Sequence, residues 1–369
     1  MNCRFTLVLA VVLVSTLAVP QARGTEALRK ELAVVAGQVQ GRLRAEHQVS
    51  VAVGEFIGPA QLDTNFGPGV ADALARALRA RGVAVSRKSL LSLRGRYARV
   101  PSDRFAGQAM VRLTFELVGR NDQVKQTYQA RFYDTATIAL FLGVTTALAP
   151  DGDLRARNLQ VVDAAEKPSV VIDGTRVRTA AGSPFAVEIL VSAGPDLPAA
   201  PRAPTVVEGQ AIVDIRRGES YQVRLYNQAP FEAAAIVAID GLSAFAFCEP
   251  KDARGAPLYS FYPVAAGTAL DVVGWFRTLQ RSDAFLVTSY GQGASAVFKN
   301  PPAGKTGVIT VAFAACAPSR EQLPADERTE GRSGEHNETG IGPARHTQFT
   351  QVARVMGVLR DVITIRYTH

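Results

Sequence analysis

AMVRLTFELVGRNDQVKQTYQARFYD, residues 109–134, decides the fold of the first half of the chain. Val111, Leu113, Phe115 and Leu117 alternate with Arg112, Thr114 and Glu116. After the turn GRND, Val124, Tyr128, Ala130 and Phe132 alternate with Lys125, Thr127, Gln129 and Arg131. A period of two sends one set of side chains into a core and the other to the opposite face, so the stretch reads as two half-buried strands. The preceding LLSLRGRYARV, 90–100, follows the same rule, with Leu91, Leu93 and Tyr97 inward and Ser92, Arg94 and Arg96 outward. Together they predict a three-stranded meander.

The surrounding segments complete a layer around it. Leu28, Leu32, Val35, Val39 and Leu43 recur at helical spacing and predict an amphipathic helix over 26–47. SVAVGEFIGP, 50–59, is a short apolar strand that breaks at Gly58-Pro59. GVADALARALRARG, 69–82, reads as a second helix with Val70, Leu74 and Leu78 inward and Gly82 as its C-terminal cap. VAVSRK, 83–88, is strand-like, and TATIALFLGVTTAL, 135–148, is a third helix with Asp134 or Thr135 as N-cap. The order α-β-α-β-β-β-β-α implies a mixed sheet with helices packed on it.

Residues 149–169, APDGDLRARNLQVVDAAEKPS, are rich in turn formers and read as a linker. From Val170 helical periodicity fades. Asp173-Gly174 marks a hairpin, and short apolar runs separated by Gly and Pro continue to 369, the pattern of an antiparallel β-sandwich. The polar segment 318–347 is expected as a mobile loop before the last strand. The fold class is therefore α+β: an N-terminal mixed α/β sandwich over 25–148, then an antiparallel β-sandwich over 170–369.

The first 24 residues, MNCRFTLVLAVVLVSTLAVPQARG, have the form of a secretory signal peptide. Arg4 is followed by an apolar run from Phe5 to Val19, too short to span a bilayer comfortably, and then by Ala22-Arg23-Gly24. A periplasmic or secreted protein is expected, with no transmembrane segment after cleavage. Cys3 precedes the apolar run and is not placed for acylation. The remaining cysteines, Cys248 and Cys316, each close an apolar run, and an oxidising compartment permits a bridge between them. Of 369 residues 47% are hydrophobic and 20% charged, which marks a globular chain rather than a disordered one. The net charge of +8 is concentrated: residues 25–158 hold 19 basic and 12 acidic groups, and 159–369 hold 20 and 21.

Compact catalytic signals are missing. There is no HExxH, no G-x-S-x-G and no Walker loop, and His47, His336, His346 and His369 lie outside any strand-end constellation. Gly67-Pro68-Gly69 opens a helix without a strand immediately before it, as an ordinary helix-entry turn does. No metal site or cofactor is expected, and nucleic acid is not an expected partner.

Two sets of residues remain as candidates. Parity places Arg94, Arg96, Arg112, Lys125 and Arg131 on one outward sheet face with a single acid, Glu116, suited to an acidic protein or an anionic envelope polymer. The other set is Asp240, Asp271, Trp275, Arg277, Asp283 and Tyr290, near strand ends of the β-rich half. Aromatics and acids in such a group can line a glycan or peptide site or do acid–base work on an envelope polysaccharide or peptide.

VAVGEF (51–56), GPGVADALARALRARGVAVSRK (67–88), LRGRYA (93–98) and the opening stretch together resemble the α/β domain of bacterial envelope proteins related to the curli-secretion lipoprotein CsgG, the N-terminal domain of TolB and the LpoB-type activators of penicillin-binding proteins. DGLSAFAF (240–247), GWFR (274–277) and SDAFLVTSYG (282–291) resemble uncharacterised secreted proteins of planctomycete-type bacteria. The first resemblance implies an exported, non-catalytic binding or assembly domain that meets other envelope proteins. It carries over no site residues.

Overall fold

A computed structural model describes residues 12–15, 23–58, 67–102, 109–133, 135–194, 196–251, 257–288, 307–327, 344–346 and 349–368. With 48% strand and 20% helix the chain is α+β and mostly β. The segment expected to be removed on export contributes β1 (Val12–Ser15) and the first two residues of α1 (Arg23–Ala45).

The N-terminal elements follow the expected order: β2 (Ser50–Ile57), α2 (Gly67–Ala80), β3 (Ala84–Val85), β4 (Ser92–Pro101), β5 (Ala109–Val118), β6 (Val124–Phe132) and α3 (Thr135–Leu142). The five strands form one sheet in the order β3-β2-β4-β5-β6, with β2 parallel to β3 and β4 and the rest antiparallel. Leu93, Tyr97, Leu113, Phe115, Ala130 and Phe132 point to the face that packs in one core with Leu32, Val39, Leu74 and Leu78 of α1 and α2. Gly82, at φ 77°, ends α2 as the sequence requires. Gly95 lies on the same inner face, where a Cβ would stand 2.0 Å from the Thr114 carbonyl oxygen. Its absence lets Phe56 meet Phe115 edge-to-face at 5.5 Å.

One part of the alternation is displaced. The β5–β6 register shifts at Leu117/Val118, so Gln126 faces Leu117, Val124 faces Val118, and Lys125 is the extra residue of a bulge. Val124, expected in the core, is consequently 47% exposed.

The third helix, expected to run to 148, ends at Leu142, and Thr146–Ala147 form β7 instead. The stretch expected as a linker carries a helix, α4 (Leu154–Glu166), whose N-cap Asp153 accepts from the Ala156 amide at 2.7 Å. Few apolar residues announce α4, because polar side chains fix it. Buried Arg157 donates to the Ala149 and Leu359 carbonyls, each at 2.7 Å. Buried Asn158 donates to the Tyr133 carbonyl at 2.7 Å and accepts from the Thr135 hydroxyl at 2.6 Å.

The β-rich half continues through β8 (Val171–Asp173), β9 (Arg176–Arg178), β10 (Phe185–Ser192), β11 (Ala200–Pro201), β12 (Thr205–Val207), β13 (Gln210–Asp214), β14 (Ser220–Asn227), β15 (Ala233–Ile239), β16 (Leu242–Ser243) and β17 (Tyr262–Val264). It ends with β18 (Thr268–Val272), β19 (Gly274–Thr278), β20 (Arg281–Leu286), β21 (Gly307–Ala317), β22 (Ala344–His346), β23 (Phe349–Val352) and β24 (Val355–Thr368). One sheet runs β19-β20-β14-β10-β9-β8 and the other β12-β13-β24-β21-β15-β16, the second joined by β7 from the N-terminal half. The expectation of purely antiparallel pairing fails at β13, which lies parallel to β24. Val187, Ile189 and Val223 of the first sheet share a core with Val237, Val311 and Ile363 of the second. On the other side of the second sheet, Ile236, Ala312, Ala314 and Val362 belong to the core that holds α1 and α3. Burial of both faces explains the unbroken apolar runs AAAIVAI and GVITVAFAACA.

That geometry excludes the bridge between Cys248 and Cys316. Both are free thiols. Cys248 lies in the core between the two large sheets and Cys316 in the core on the helical side. Cys248 donates to the Pro250 carbonyl at 3.1 Å and Cys316 to Glu232 Oε1 at 3.4 Å. Burial pushes the Cys248 thiol up to about 11 and Cys316 well above its ordinary value, so neither is a ready thiolate. Neither residue should react with a thiol reagent in the folded protein, and both should react after unfolding, as peptide mapping of the labelled chain will show. Labelling of either in the native state contradicts this packing.

The expected mobile loop is ordered over its first part. Residues 318–327 form two 3-10 turns, Arg320–Gln322 and Ala325–Glu327, that end on a buried Glu327. Its later part, 328–343, and residues 347–348 lie outside the described residues.

Candidate functional site

The outer face of the meander is laid out by register. Arg94, Glu116 and Thr127 face one another across β4, β5 and β6. Arg96, Thr114 and Gln129 form the next row, and Ala98, Arg112 and Arg131 the third. The helices α1 and α2 pack on the opposite face, and Arg96, Arg112, Thr127, Gln129 and Arg131 of these rows are exposed.

Charge is unequal along this face. Arg94 sits between two acids, with its Nε 3.4 Å from Glu116 and its Nη1 2.9 Å from Asp122. Asp122 is aimed there by the turn after β5, where Asn121 and Asp122 adopt φ of 59° and 57°, a left-handed conformation those short polar residues tolerate. Arg96 only grazes Glu116, at 3.9 Å, and is exposed. Arg112 has no hydrogen bond or ion pair among the described residues, and Arg131 donates to Gln129 at 3.4 Å. Lys125 leaves the row through the bulge and lies across Gly119, where a Cβ would stand 3.1 Å from its Cε. The five cations proposed by parity thus divide. Arg94 is held by two acids, Lys125 stands at the hairpin end, and Arg96 and Arg112 make the cationic centre, with Arg131 across from Arg112.

β6 is the last strand of its sheet, and among the described residues no strand pairs with its other edge. α1 runs against its inner face. There the Tyr128 hydroxyl and the Arg42 Nε are both buried, and both lack a hydrogen-bond partner among the described residues. Burial raises the Tyr128 hydroxyl above its ordinary value, with the charge of Arg42 pulling the other way. Alternation identified Tyr128 as inward but gave no sign that its hydroxyl would be left unsatisfied.

The second candidate set is not one site. Asp240 occupies a turn at φ 51° and accepts from the Val308 amide and the Tyr367 hydroxyl, both at 2.8 Å. Asp271 is held by Arg224 through two hydrogen bonds of 2.6 and 2.8 Å. Trp275 is a core residue, edge-to-face on Phe285 at 4.3 Å. Three members come together at β19–β20: Trp275 stands opposite Asp283 in the strand register, and Arg277 meets Asp283 at 3.5 Å, joined by Glu249 and Arg281, which the sequence reading did not include. Burial raises the Asp283 carboxyl, while Arg277 and Arg281 pull it back. Tyr290 lies outside the described residues. Among the described residues no group of three or more His, Cys, Asp or Glu could hold a metal ion.

Two concavities lie away from both sets. One is a narrow recess between the ends of α3 and α4 and β24, and the other is a polar recess lined by Asp173, Arg176 and Arg178. No helix among the described residues is long and apolar enough to cross a membrane. No protein-family model matches the chain, and no curated protein is similar to it.

Proposed function

We propose that the chain is an exported, non-catalytic binding or assembly protein of the bacterial cell envelope, and that it receives an anionic partner on the outer face of β4–β5–β6. The observation that carries this reading is Arg112, exposed and without a hydrogen bond or ion pair among the described residues, with exposed Arg96 diagonal to it on the neighbouring strand. Two arginines side by side on an exposed sheet face hold positive charge that an anionic partner would convert into affinity and encounter rate. In this reading the two large sheets form a β-sandwich that carries the α/β layer, and the CsgG-, TolB- and LpoB-like character of residues 48–134 supplies the envelope context. The separate structural contacts of Asp240, Asp271 and Asp283 favour binding over catalysis by those acids.

Arg96→Glu, Arg112→Glu and Arg131→Glu combined should abolish retention on a polyphosphate matrix at low salt, while Arg94→Glu alone should change it little. Wild-type retention should fall steeply between low and physiological ionic strength. Equal retention of wild type and triple variant removes this reading.

A further inference from the structure

We propose that the polar recess beside the β8–β9 hairpin binds an acidic sugar residue through its carboxylate and hydroxyls, with Arg176 as the carboxylate anchor. This goes beyond the binding face on the meander and uses a separate part of the chain. In register, Asp173 of β8, Arg176 of β9, Glu188 of β10, Arg224 of β14 and Asp271 of β18 form one row across five strands. Each acid of the row is already engaged. Asp173 accepts from Arg178 Nε at 3.3 Å, and Asp271 accepts two hydrogen bonds from Arg224. Glu188 accepts from the Thr175 and Tyr226 hydroxyls and lies 3.5 Å from Arg224. Arg176 is left without a hydrogen bond or ion pair among the described residues, and its guanidinium lies 4.1 Å from the centre of the Tyr226 ring. Such stacking fixes the plane of the guanidinium and leaves its N–H edge to meet a carboxylate with two parallel hydrogen bonds.

One buried arginine braces the walls of the recess. Arg178 donates to Asp173, to the Ser183 carbonyl at 2.7 Å and to Gln228 Oε1 at 3.2 Å, which ties together the hairpin, the 181–184 turn and the residue that follows β14. Behind that turn, the Ser183 hydroxyl donates to Asp361 of β24 at 2.5 Å. The lining charges select the ligand. Asp173 offsets Arg178, so the recess holds one unmatched positive charge, at Arg176, which a single carboxylate neutralises. A phosphate dianion would face Asp173, whose side chain is 59% exposed. An amino acid would bring its ammonium to the acid that Arg178 already shares. Hydroxyls suit the two remaining groups: Asp173 Oδ1 accepts and Gln228 Nε2 donates, and neither has a hydrogen bond among the described residues.

The test titrates the full chain with sodium glucuronate and follows its amide NMR shifts, with glucose, acetate, inorganic phosphate and glycine as controls. Shifts at 173–184 and 228 should saturate with glucuronate. Glucose and acetate should each bind at least ~10-fold more weakly, since one lacks the charge-assisted pair and the other the hydroxyl contacts. Arg176→Gln should weaken glucuronate at least ~10-fold, and Gln228→Ala about 5-fold, the worth of one neutral hydrogen bond. Arg176→Lys, which keeps the charge and loses the fork, should fall between wild type and Arg176→Gln. All three variants should melt with the wild type when no ligand is present; should Arg176→Gln melt early, the other two carry the comparison. Unchanged affinity in the Arg176 variants, or shifts that do not saturate at the recess, overturns the site. Equal binding of acetate or phosphate makes the recess a plain anion trap and overturns the sugar. Tighter binding of glycine gives it to a zwitterion and overturns the sugar as well.

Discussion

Phe313→Ala is expected to lower the unfolding free energy by about 3–5 kcal/mol, as deletion of a fully buried aromatic ring does. Phe313 lies on β21 with no exposed surface, and its ring stacks on Phe185 of β10 at 4.8 Å and 12° between planes. The two residues belong to different sheets. Each sheet is held by its own ladder of hydrogen bonds, so neither can sag into the space that truncation leaves, and the cavity persists. Paired with Phe185→Leu, the double variant should be less destabilised than the sum of the singles by ~0.5–1.5 kcal/mol, the coupling of a ring pair. Denaturant melts supply all four values. Strict additivity, or a loss below ~1 kcal/mol for Phe313→Ala, contradicts a shared core between the sheets.

Glu327→Ala is expected to cost ~3 kcal/mol, because it removes a buried carboxylate and leaves a half-buried cation with one of its two acids. The Glu327 carboxylate accepts from the Val358 amide at 2.8 Å and from Arg360 Nε at 2.6 Å. Asp326 takes a further Arg360 nitrogen at 2.7 Å, and the Arg360 guanidinium lies 4.7 Å from the centre of the Phe231 ring. Burial pushes the Glu327 carboxyl up, with Arg360 and the Val358 amide pulling it part of the way back. Burial pulls Arg360 down, but Asp326 and Glu327 outweigh it. The close, multiply bonded geometry makes the ion pair the governing arrangement. The carboxylate also rests directly on Gly357, where a Cβ would stand 1.6 Å from Oε2. Gly357→Ala should therefore reproduce much of the loss from the opposite side. Both variants should expose 318–327 to protease under conditions where the wild type resists. Wild-type stability in both would show that this contact does not hold the segment.

What could be read from the chain was the meander and its faces. Alternation at 90–132 assigned Leu113 and Phe115 to the core and Arg96, Arg112 and Arg131 to the other side, because period two is a direct consequence of strand geometry. What could not be read depends on partners distant in sequence. α4 is fixed by Arg157 and Asn158, polar residues whose acceptors at Leu359 and Tyr133 leave no local pattern. The bulge at Lys125 arises from a turn whose left-handed residues shift the pairing, and a strict alternation read through it places Val124 on the wrong face. Cys248 and Cys316 both end apolar runs, yet only the layering of the sheets assigns them to different cores. For the candidate site, residue type supplied the cations, but the pairing of Arg94 with Glu116 and Asp122 and the placing of Arg96 diagonal to Arg112 required the register.

β24 has a consequence for how the chain reaches this state. It is a fourteen-residue strand late in the sequence, and it pairs with β21, β13 and, at Asp361 and Val362, with β7. Its Leu359 carbonyl also receives Arg157 of α4. While a ribosome is still making β21, the α/β layer has its own sheet but no lid over the apolar flank of α3. Closure of contacts this far apart in sequence is slow, since the loop entropy must be met before the contacts form. The apolar flank of α3 is therefore covered only once β24 has joined β21, β13 and β7, which makes that docking a slow step of folding.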